Sequence, residues 1–217
     1  TTDDGTAIKA DTVIIATGAS AKYLGIDDEQ RYAGRGVSAC ATCDGFFYRK
    51  KTVAVVGGGD TACEEASYLS NLADKVYMIV RKDYLRASKV MQRRVMENQK
   101  IEIFFNTNTV GLFGDTKVEG AHLVRFKGTD REETFDIAID GFFLGIGHRP
   151  NTDIFANQIA LDEQGYIKTD GVTTATNIPG VFAAGDVADP RYRQAITSAG
   201  MGCKAALDAE RFLVEQE

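Results

Sequence analysis

The sequence predicts an α/β protein in which one complete α/β domain is inserted into a second one. Apolar strands alternate with amphipathic helical segments along most of the 217 residues. Within residues 52–80, a strand, a glycine turn, a helix and a further strand follow one another, which is the size of a βαβ unit. Further strands and a closing helix lie on both sides of this unit. These flanking segments are therefore predicted to form a second domain that the first one interrupts.

Each element is assigned from its pattern of apolar residues and from the turn residues that bound it. The predicted strands cover residues 8–17, 52–56, 75–80, 101–105 and 177–184, with several more and their turns between 107 and 143. The predicted helices cover residues 61–72, 88–98 and 194–214. Residues 19–36 are irregular and polar, and we interpret them as a connector.

Composition and charge narrow the function classes. The chain is 44% hydrophobic and 26% charged, which is typical of a globular protein and excludes disorder. Its formal net charge of −6 argues against a nucleic-acid partner. No apolar run reaches the roughly 18 residues of a membrane span, so no membrane partner is expected. The N-terminus is polar, without a signal peptide or an initiator Met, which predicts a chain that starts within a longer one.

The glycine turn predicts a dinucleotide site. Gly57-x-Gly59-x-x-Ala62 directly follows a strand and directly opens a helix. The first glycine permits a tight turn, the second lets the backbone approach a pyrophosphate, and the small third residue lets helix and strand pack closely. The phosphates then bind free amides at the positive end of the helix. A plain glycine-rich turn is the alternative, but the position between strand and helix favours a dinucleotide.

The end of the next strand indicates which dinucleotide binds. An NAD site usually places an acidic residue there, about 20 residues after the turn. This chain instead carries Arg81, Lys82 and Arg86, and we interpret Asp83 as a loop residue. Three cations suit the 2′-phosphate of NADPH. A solvated charged loop is the alternative, but the cations and the glycine turn together favour NADPH.

Cys40 and Cys43 are close enough in sequence to form a disulfide across one turn. A structural zinc site, a pair of inert buried thiols and a redox dithiol are the three interpretations. Zinc needs four ligands and the other cysteines are isolated, so no metal site is expected. Asp44 adjoins the pair and can exchange the proton that disulfide chemistry requires, which favours the redox dithiol. Cys63 and Cys203 fall inside predicted helices and are interpreted as core residues.

The segment Cys40-Ala-Thr-Cys43-Asp44-Gly-Phe46-Phe47 resembles the active-site segment of the low-molecular-weight bacterial thioredoxin reductases. The similarity extends over essentially the whole chain. Besides the glycine turn, it includes the blocks at residues 15–19, 145–148, 180–187 and 193–200. The resemblance implies two Rossmann-like nucleotide-binding domains of the pyridine nucleotide-disulfide oxidoreductase type. An NADPH domain over residues 24–146 is then inserted in a truncated FAD domain over residues 1–23 and 147–217.

The resemblance also implies an activity, thioredoxin-disulfide reduction, with FAD and NADPH as cofactors and thioredoxin as partner. In this family electrons pass from NADPH to FAD, then to the cysteine pair, then to the thioredoxin disulfide. Cys43 would lie nearer the flavin, Cys40 would attack thioredoxin, and Asp44 would act as the general acid and base. Lys82 stands where the family often has Arg in its 2′-phosphate cluster. The implied cofactor-binding residues are Gly57, Gly59, Asp60, Thr61, Ala62, Arg81, Lys82, Arg86, Ile146, Thr17, Gly18, Gly185, Asp186, Arg193, Gln194 and Ala195.

The resemblance covers the C-terminal two-thirds of such a reductase, and the family's N-terminal turn for the FAD pyrophosphate has no counterpart in this sequence. Two alternatives therefore stay open. The chain could be an NADPH-binding module without catalysis, or part of the flavoprotein component of an alkyl hydroperoxide reductase. The family further implies a cytoplasmic homodimer, and a hinge between domains with crossings near Tyr23 and at Gly147.

Overall fold

The computed structural model describes residues 2–155 and 157–217. The strands found there are β1 (Val13–Ile15), β2 (Ala19–Ala21), β3 (Val37–Ser38), β4 (Thr52–Val56), β5 (Lys75–Ile79), β6 (Ile101–Phe104), β7 (Thr107–Phe113), β8 (Gly120–Arg125), β9 (Glu133–Ala138), β10 (Gly141–Leu144), β11 (His148–Pro150) and β12 (Val181–Ala183). The helices are α1 (Asp27–Arg31), α2 (Ala41–Asp44), α3 (Asp60–Ser70), α4 (Lys89–Met96) and α5 (Ala195–Val214). None of the described helices is long and apolar enough to cross a membrane.

The chain divides into two compact units. The inserted unit is Ala21–Gly147, and the outer unit consists of the chain up to Ser20 and from His148 onward. Both units contain parallel strand pairs combined with helices, which confirms the predicted α/β fold class. Their assignment as NADPH and FAD domains stays a prediction at this point.

A five-stranded parallel sheet in the order β3-β10-β4-β5-β6 forms the centre of the inserted unit. Because successive side chains of a strand point to opposite faces, β4 contributes to two cores. Val53 and Val55 pack with the helical side, whereas Ala54 and Val56 pack with the side covered by the antiparallel sheet β7-β8-β9. The central strands β4 and β10 are buried on both faces, as is usual for a parallel sheet with covered faces.

The outer unit is built around the parallel pair β1 and β12, and β2 and β11 form a second two-stranded sheet. Only Val13–Ile15 of the strand predicted over residues 8–17 is extended and paired. The prediction was too long because β12 offers only three residues as a parallel partner.

The closing helix α5 buries Ala205 and Ala209 against Phe182 of β12. Cys203 is exposed on this helix, so its interpretation as a core residue was wrong. Two residues correspond to about 200° around a helix, which places Cys203 away from the buried face that Ala205 defines.

Candidate functional site

The two cysteines of the motif lie at the start of α2 and form a disulfide. Their Cα atoms are 5.3 Å apart. Cys40 is the residue that precedes the helix, and its Sγ accepts a hydrogen bond from the Cys43 amide at 3.2 Å. Cys40 is half-buried and Cys43 is exposed. The disulfide is therefore accessible to a reaction partner, as thiol–disulfide exchange requires.

A serine connects the disulfide segment to the acidic residue next to it. The Ser38 hydroxyl donates to Asp44 Oδ2 at 2.6 Å and accepts from the Cys40 amide at 3.1 Å. Ser38 lies at the end of β3 and is only 8% exposed, so the sheet holds the hydroxyl in place. Sequence reasoning missed this residue, although its position two residues before Cys40 was a signal. Ser38 therefore positions Asp44 beside the redox pair.

The segment that follows the cysteines packs closely on α3. A Cβ at Gly45 would lie 3.0 to 3.3 Å from side-chain atoms of Leu69, Tyr68 and Leu72, so a larger residue has little room. This packing connects the disulfide segment to the helix that the glycine turn opens.

Two phenylalanines beyond the disulfide point into solvent. Phe46 and Phe47 are 63% and 70% exposed, and the Arg49 guanidinium lies 5.3 Å from the centre of the Phe46 ring. Exposed aromatic rings are costly to hydrate and are enriched where proteins bind one another. They lie two and three residues after Asp44, in the same segment as the disulfide.

The glycine turn after β4 has the geometry that a dinucleotide requires. Gly57 has a φ of +136°, and a Cβ there would collide with the Gly145 carbonyl oxygen. Ala62 is fully buried against Gly145, so a larger side chain would separate α3 from the sheet. At Gly59, by contrast, a Cβ would meet no heavy atom within 4 Å. Open space therefore lies beside the amino-terminal end of α3, where backbone amides bind phosphate.

A cleft of about 660 Å³ opens at this turn, entirely within the inserted unit. That volume is in the usual range for a cofactor site. The predicted residues that line it are Gly57, Arg81, Lys82, Arg86 and Ile146. Gly59, Thr61 and Ala62 stand at the start of α3 instead, with Ala62 in the core below. The structure thus brings the glycine turn and the three cations to one cleft, and these residues fit NADPH.

Backbone hydrogen bonds hold the loop that carries Arg81, Lys82 and Arg86, the cation loop, against the glycine turn. The Gly58 carbonyl accepts from the amides of Arg86 at 2.6 Å and Ala87 at 3.2 Å. The Asp60 carboxylate accepts from the Ser88 amide at 2.9 Å, and this hydrogen bond lowers the Asp60 pKa. Asp60 therefore holds the loop that carries the cations.

Sequence reasoning also missed a fourth cation of the cleft, Lys127. The Asn106 amide donates to the Lys82 carbonyl at 3.0 Å, and the Phe126 amide donates to the Asn106 carbonyl at 2.9 Å. These bonds bring the turn between β8 and β9 next to the cation loop. No local pattern signals this approach, because it depends on how two distant segments pair. The cleft is further lined by Tyr23, Leu24, Ile26, Tyr84, Thr107, Asn108, Thr109 and Val110.

The outer unit contains the other predicted cofactor residues. Gly185 has a φ of +76°, and the neighbouring Asp186 accepts from the Ser198 hydroxyl at 2.9 Å in the first turn of α5. Gln194 precedes that helix and Ala195 is its first residue, with Arg193 just before them. Asp186 thus lies beside the amino-terminal end of α5.

Thr17 and Gly18 lie at the other predicted position of the outer unit. The Thr17 hydroxyl donates to the Asn151 carbonyl at 2.8 Å, and Gly18 has a φ of +74°. The Thr17 carbonyl also accepts from the Asn151 side-chain amide at 2.9 Å, so the two segments of this unit are joined here.

The two remaining cysteines differ in accessibility, which predicts their reactivity. Burial first, and then Asp60 and Glu64, raise the pKa of the Cys63 thiol to about 11. Labelling the native protein with iodoacetamide at about pH 8 is expected to modify Cys203 and to leave Cys63 unmodified, because the thiolate is the reactive form. Mass spectrometry of the digested protein measures both sites.

The raised pKa of the Cys63 thiol also predicts how the free energy of unfolding changes at alkaline pH. The unfolded thiol ionises at a lower pH than the folded one, so the unfolded state loses its proton first. The free energy of unfolding therefore declines as the pH rises toward 11, and Cys63 labelling increases over the same range. Equal labelling of Cys63 and Cys203 at about pH 8 would contradict the burial of Cys63.

The chain is similar to known proteins over most of its length. The model of the pyridine nucleotide-disulphide oxidoreductase family matches residues 1–202. Thioredoxin reductase of Eremothecium gossypii is 56% identical over 209 residues, which are 95% of this chain and 65% of that protein. Thioredoxin reductase of Coxiella burnetii is 55% identical over 218 residues, covering 97% of this chain and 67% of that protein.

Solved structures show the same likeness. Thioredoxin reductase from Giardia duodenalis superposes with a TM-score of 0.86 at 45% identity, over 94% of this chain and 66% of that one. The enzyme from Streptococcus pyogenes has a TM-score of 0.86 at 38% identity, with the same coverage. The chain thus spans about 65% of the length of the curated relatives it matches.

Proposed function

The chain belongs to the pyridine nucleotide-disulphide oxidoreductase family and, within it, to the thioredoxin reductases, and from this membership we propose that it carries the nicotinamide site and the redox disulfide of an NADPH-dependent flavoprotein that reduces thioredoxin. One observation supports the proposal most strongly. The inserted unit combines an accessible disulfide, with Asp44 beside it, and a cleft that joins a glycine turn to three cations. The first group can exchange disulfides and the second can bind a phosphorylated dinucleotide.

The nicotinamide cofactor would bind to the inserted unit, which we propose as the NADPH domain. Amides at the start of α3 would hold its pyrophosphate, beside the open space at Gly59. Arg81, Lys82 and Arg86 would bind the 2′-phosphate, because guanidinium and ammonium groups form strong charge-assisted hydrogen bonds with phosphate. Ile146 lines the same cleft as an apolar contact.

The outer unit is proposed as part of the FAD domain. Asp186 would accept a hydrogen bond from a hydroxyl of the ribityl chain, and the amino-terminal end of α5, with Arg193, Gln194 and Ala195, would lie at the flavin end. Two stretches of the described residues match G-x-G-x-x-A: residues 57–62 form the turn of the inserted unit, and residues 200–205 lie inside α5. The FAD contacts proposed for this chain lie at the flavin and ribityl part.

When bound, NADPH would supply a hydride and FAD would relay its two electrons, so that the Cys40–Cys43 disulfide would be reduced to a dithiol. In the proposed exchange, the Cys40 thiolate attacks one sulfur of the thioredoxin disulfide, and the other thioredoxin sulfur leaves as a thiolate and takes a proton. Cys43 then attacks Cys40, which re-forms the Cys40–Cys43 disulfide and releases the second thioredoxin thiol. Asp44, held by the Ser38 hydroxyl, would supply and take back the proton.

The visible absorption spectrum of the purified protein tests this proposal. A flavin spectrum that bleaches on addition of NADPH is the expected result for a complete electron path. A colourless protein that binds NADPH would restrict the chain to a nicotinamide-binding module. A protein that neither contains flavin nor binds NADPH would contradict the proposal.

The two exposed phenylalanines should matter for a protein substrate only. The double substitution Phe46→Ala and Phe47→Ala is expected to raise KM for thioredoxin about thirtyfold, because each exposed ring would lose roughly 1 kcal/mol of interface contact. Turnover of a small aromatic disulfide should stay within about twofold of the unsubstituted protein. Steady-state assays with both substrates distinguish the two effects. Equal loss on both substrates would show that the rings support the disulfide segment instead of binding thioredoxin.

A homodimer and a cytoplasmic location complete the proposal. Both are supported by the family resemblance alone, and size measurement in solution tests the first of them.

A further inference from the structure

The cations of the cleft continue into α4. Between residues 81 and 94 the chain has one acidic residue, Asp83, and a net charge of +5. Since the whole chain has a net charge of −6, the remaining residues together carry −11. The six cations of this segment are Arg81, Lys82, Arg86, Lys89, Arg93 and Arg94. Residues 81–94 therefore carry a local net positive charge, opposite in sign to the net charge of the rest of the chain.

All six of these side chains are exposed to solvent. Within the part of the chain that the structure describes, the ion pairs formed at short distance join other residues: Lys75 with Glu102, His122 with Asp136, Arg125 with Glu133 and Arg149 with Asp153. None of these described ion pairs involves the six cations, and the Asp60 carboxylate contacts the segment at the Ser88 amide. The field of the six cations extends into the solvent around the cleft.

The amino-terminal end of α4 lies next to the glycine turn. Asp60 binds the amide of Ser88, immediately before the helix, at 2.9 Å. The Gln92 side chain donates to the carbonyls of Leu85 and Ala87, which holds the first turn of α4 against the cation loop. At 1.5 Å per residue, Lys89 and Arg94 are about 8 Å apart along the axis. That distance is about one Debye length at physiological ionic strength, so these charges add to those of the cleft.

Helix stability does not account for this pattern. Arg93 and Arg94 stand in the last turn of α4, where a cation is favourable to the helix dipole. Lys89 is the first residue of the helix, where a cation is unfavourable for the same reason. A cation that opposes the dipole of its own helix indicates a role outside that helix.

We propose that Lys89, Arg93 and Arg94 extend the cation cluster of the cleft into a steering surface that raises the rate at which the polyanionic dinucleotide NADPH is captured. This inference rests on the proposed function of the cleft. The three residues act at a distance through the field and do not hold the 2′-phosphate. NADPH is more negative than NADP⁺ by one charge, because the oxidised nicotinamide ring is cationic. The surface therefore favours capture of the reduced cofactor over capture of the product.

Stopped-flow fluorescence of NADPH mixed with the chain tests the steering surface. The triple substitution Lys89→Gln, Arg93→Gln and Arg94→Gln is expected to lower the association rate constant about fivefold at about 20 mM salt, a modest part of the range that electrostatic steering covers. At about 0.5 M salt the two proteins should associate equally fast, because the Debye length is then only about 4 Å. The dissociation rate constant should not change, and the association rate of NADH, which has no 2′-phosphate, should fall less than that of NADPH.

Two control variants make the result decisive. Lys9→Gln, Lys117→Gln and Lys168→Gln remove the same amount of charge from exposed positions outside residues 81–94 and should leave the association rate within about twofold. Lys89→Arg, Arg93→Lys and Arg94→Lys preserve the charge and should restore the full rate even if the glutamine variant folds poorly.

Three outcomes would overturn the inference. An unchanged association rate at low salt would remove the steering role, and so would a loss equal to that of the control triple. A faster dissociation that persists at high salt would show direct contact with the cofactor instead. If the unsubstituted chain does not bind NADPH, the proposed function of the cleft fails along with the inference.

Discussion

Replacing Cys40 with serine is expected to lower thioredoxin reduction by the flavin-loaded protein at least about a thousandfold. A serine hydroxyl cannot form a mixed disulfide and is not ionised at neutral pH, so neither the attack on thioredoxin nor the closing step with Cys43 can occur. Reduction of the bound flavin by NADPH should continue, because that step precedes the cysteine pair. The measurement combines the thioredoxin-coupled assay with anaerobic bleaching of the flavin.

Cys203→Ser is the matched control for this substitution. Cys203 is an exposed thiol on α5 and has no place in the proposed exchange, so thioredoxin reduction should stay within about twofold. Full activity of the Cys40→Ser protein would exclude the assigned role of Cys40. Loss of flavin bleaching in that protein would instead indicate damage to the fold.

The second large effect concerns the choice between the two nicotinamide cofactors. Arg81→Gln combined with Arg86→Gln should weaken NADPH binding about 10²- to 10⁴-fold, because each lost charge-assisted hydrogen bond contributes roughly 1.5–3 kcal/mol. NADH binding should change by less than about threefold, because NADH has no 2′-phosphate. The backbone bond from Arg86 to Gly58 does not depend on the side chain, so the loop should keep its position.

Calorimetric titration with both cofactors measures this difference. Lys117→Gln serves as the control, because Lys117 is an exposed cation outside the cleft. An equal loss of affinity for NADH and NADPH would mean that these cations bind the pyrophosphate or support the cleft. The prediction that they read the 2′-phosphate would then be wrong.

Local sequence patterns were sufficient to predict the local geometry of both candidate sites. The disulfide between Cys40 and Cys43 depends on a separation of three residues, and the turn at Gly57 depends on a strand that runs directly into a helix. Both features arise within one turn of backbone. The cations that follow β5 are placed by the same βαβ unit, so their position could be predicted as well.

Other elements were predicted less accurately, for two different reasons. Of the strand predicted over residues 8–17, only Val13–Ile15 is a strand in the structure, because its length is determined by the parallel partner β12. The helix Asp27–Arg31 was missed within the predicted connector, where the buried Glu29 accepts hydrogen bonds from the amides of Leu24, Gly25 and Ile26. A carboxylate that folds back on three amides has no apolar periodicity to signal it.

The sequence by itself determined which groups we propose to carry the chemistry: a pair of cysteines with an adjacent acid, a glycine turn and a cluster of cations. Only the tertiary structure decided how they are held. It placed Gly145 against the turn at Gly57, Lys127 in the cleft and Cys203 at the surface. The physical reason is that a parallel sheet joins strands far apart in the chain, so such contacts depend on strand order and register, which local periodicity does not specify.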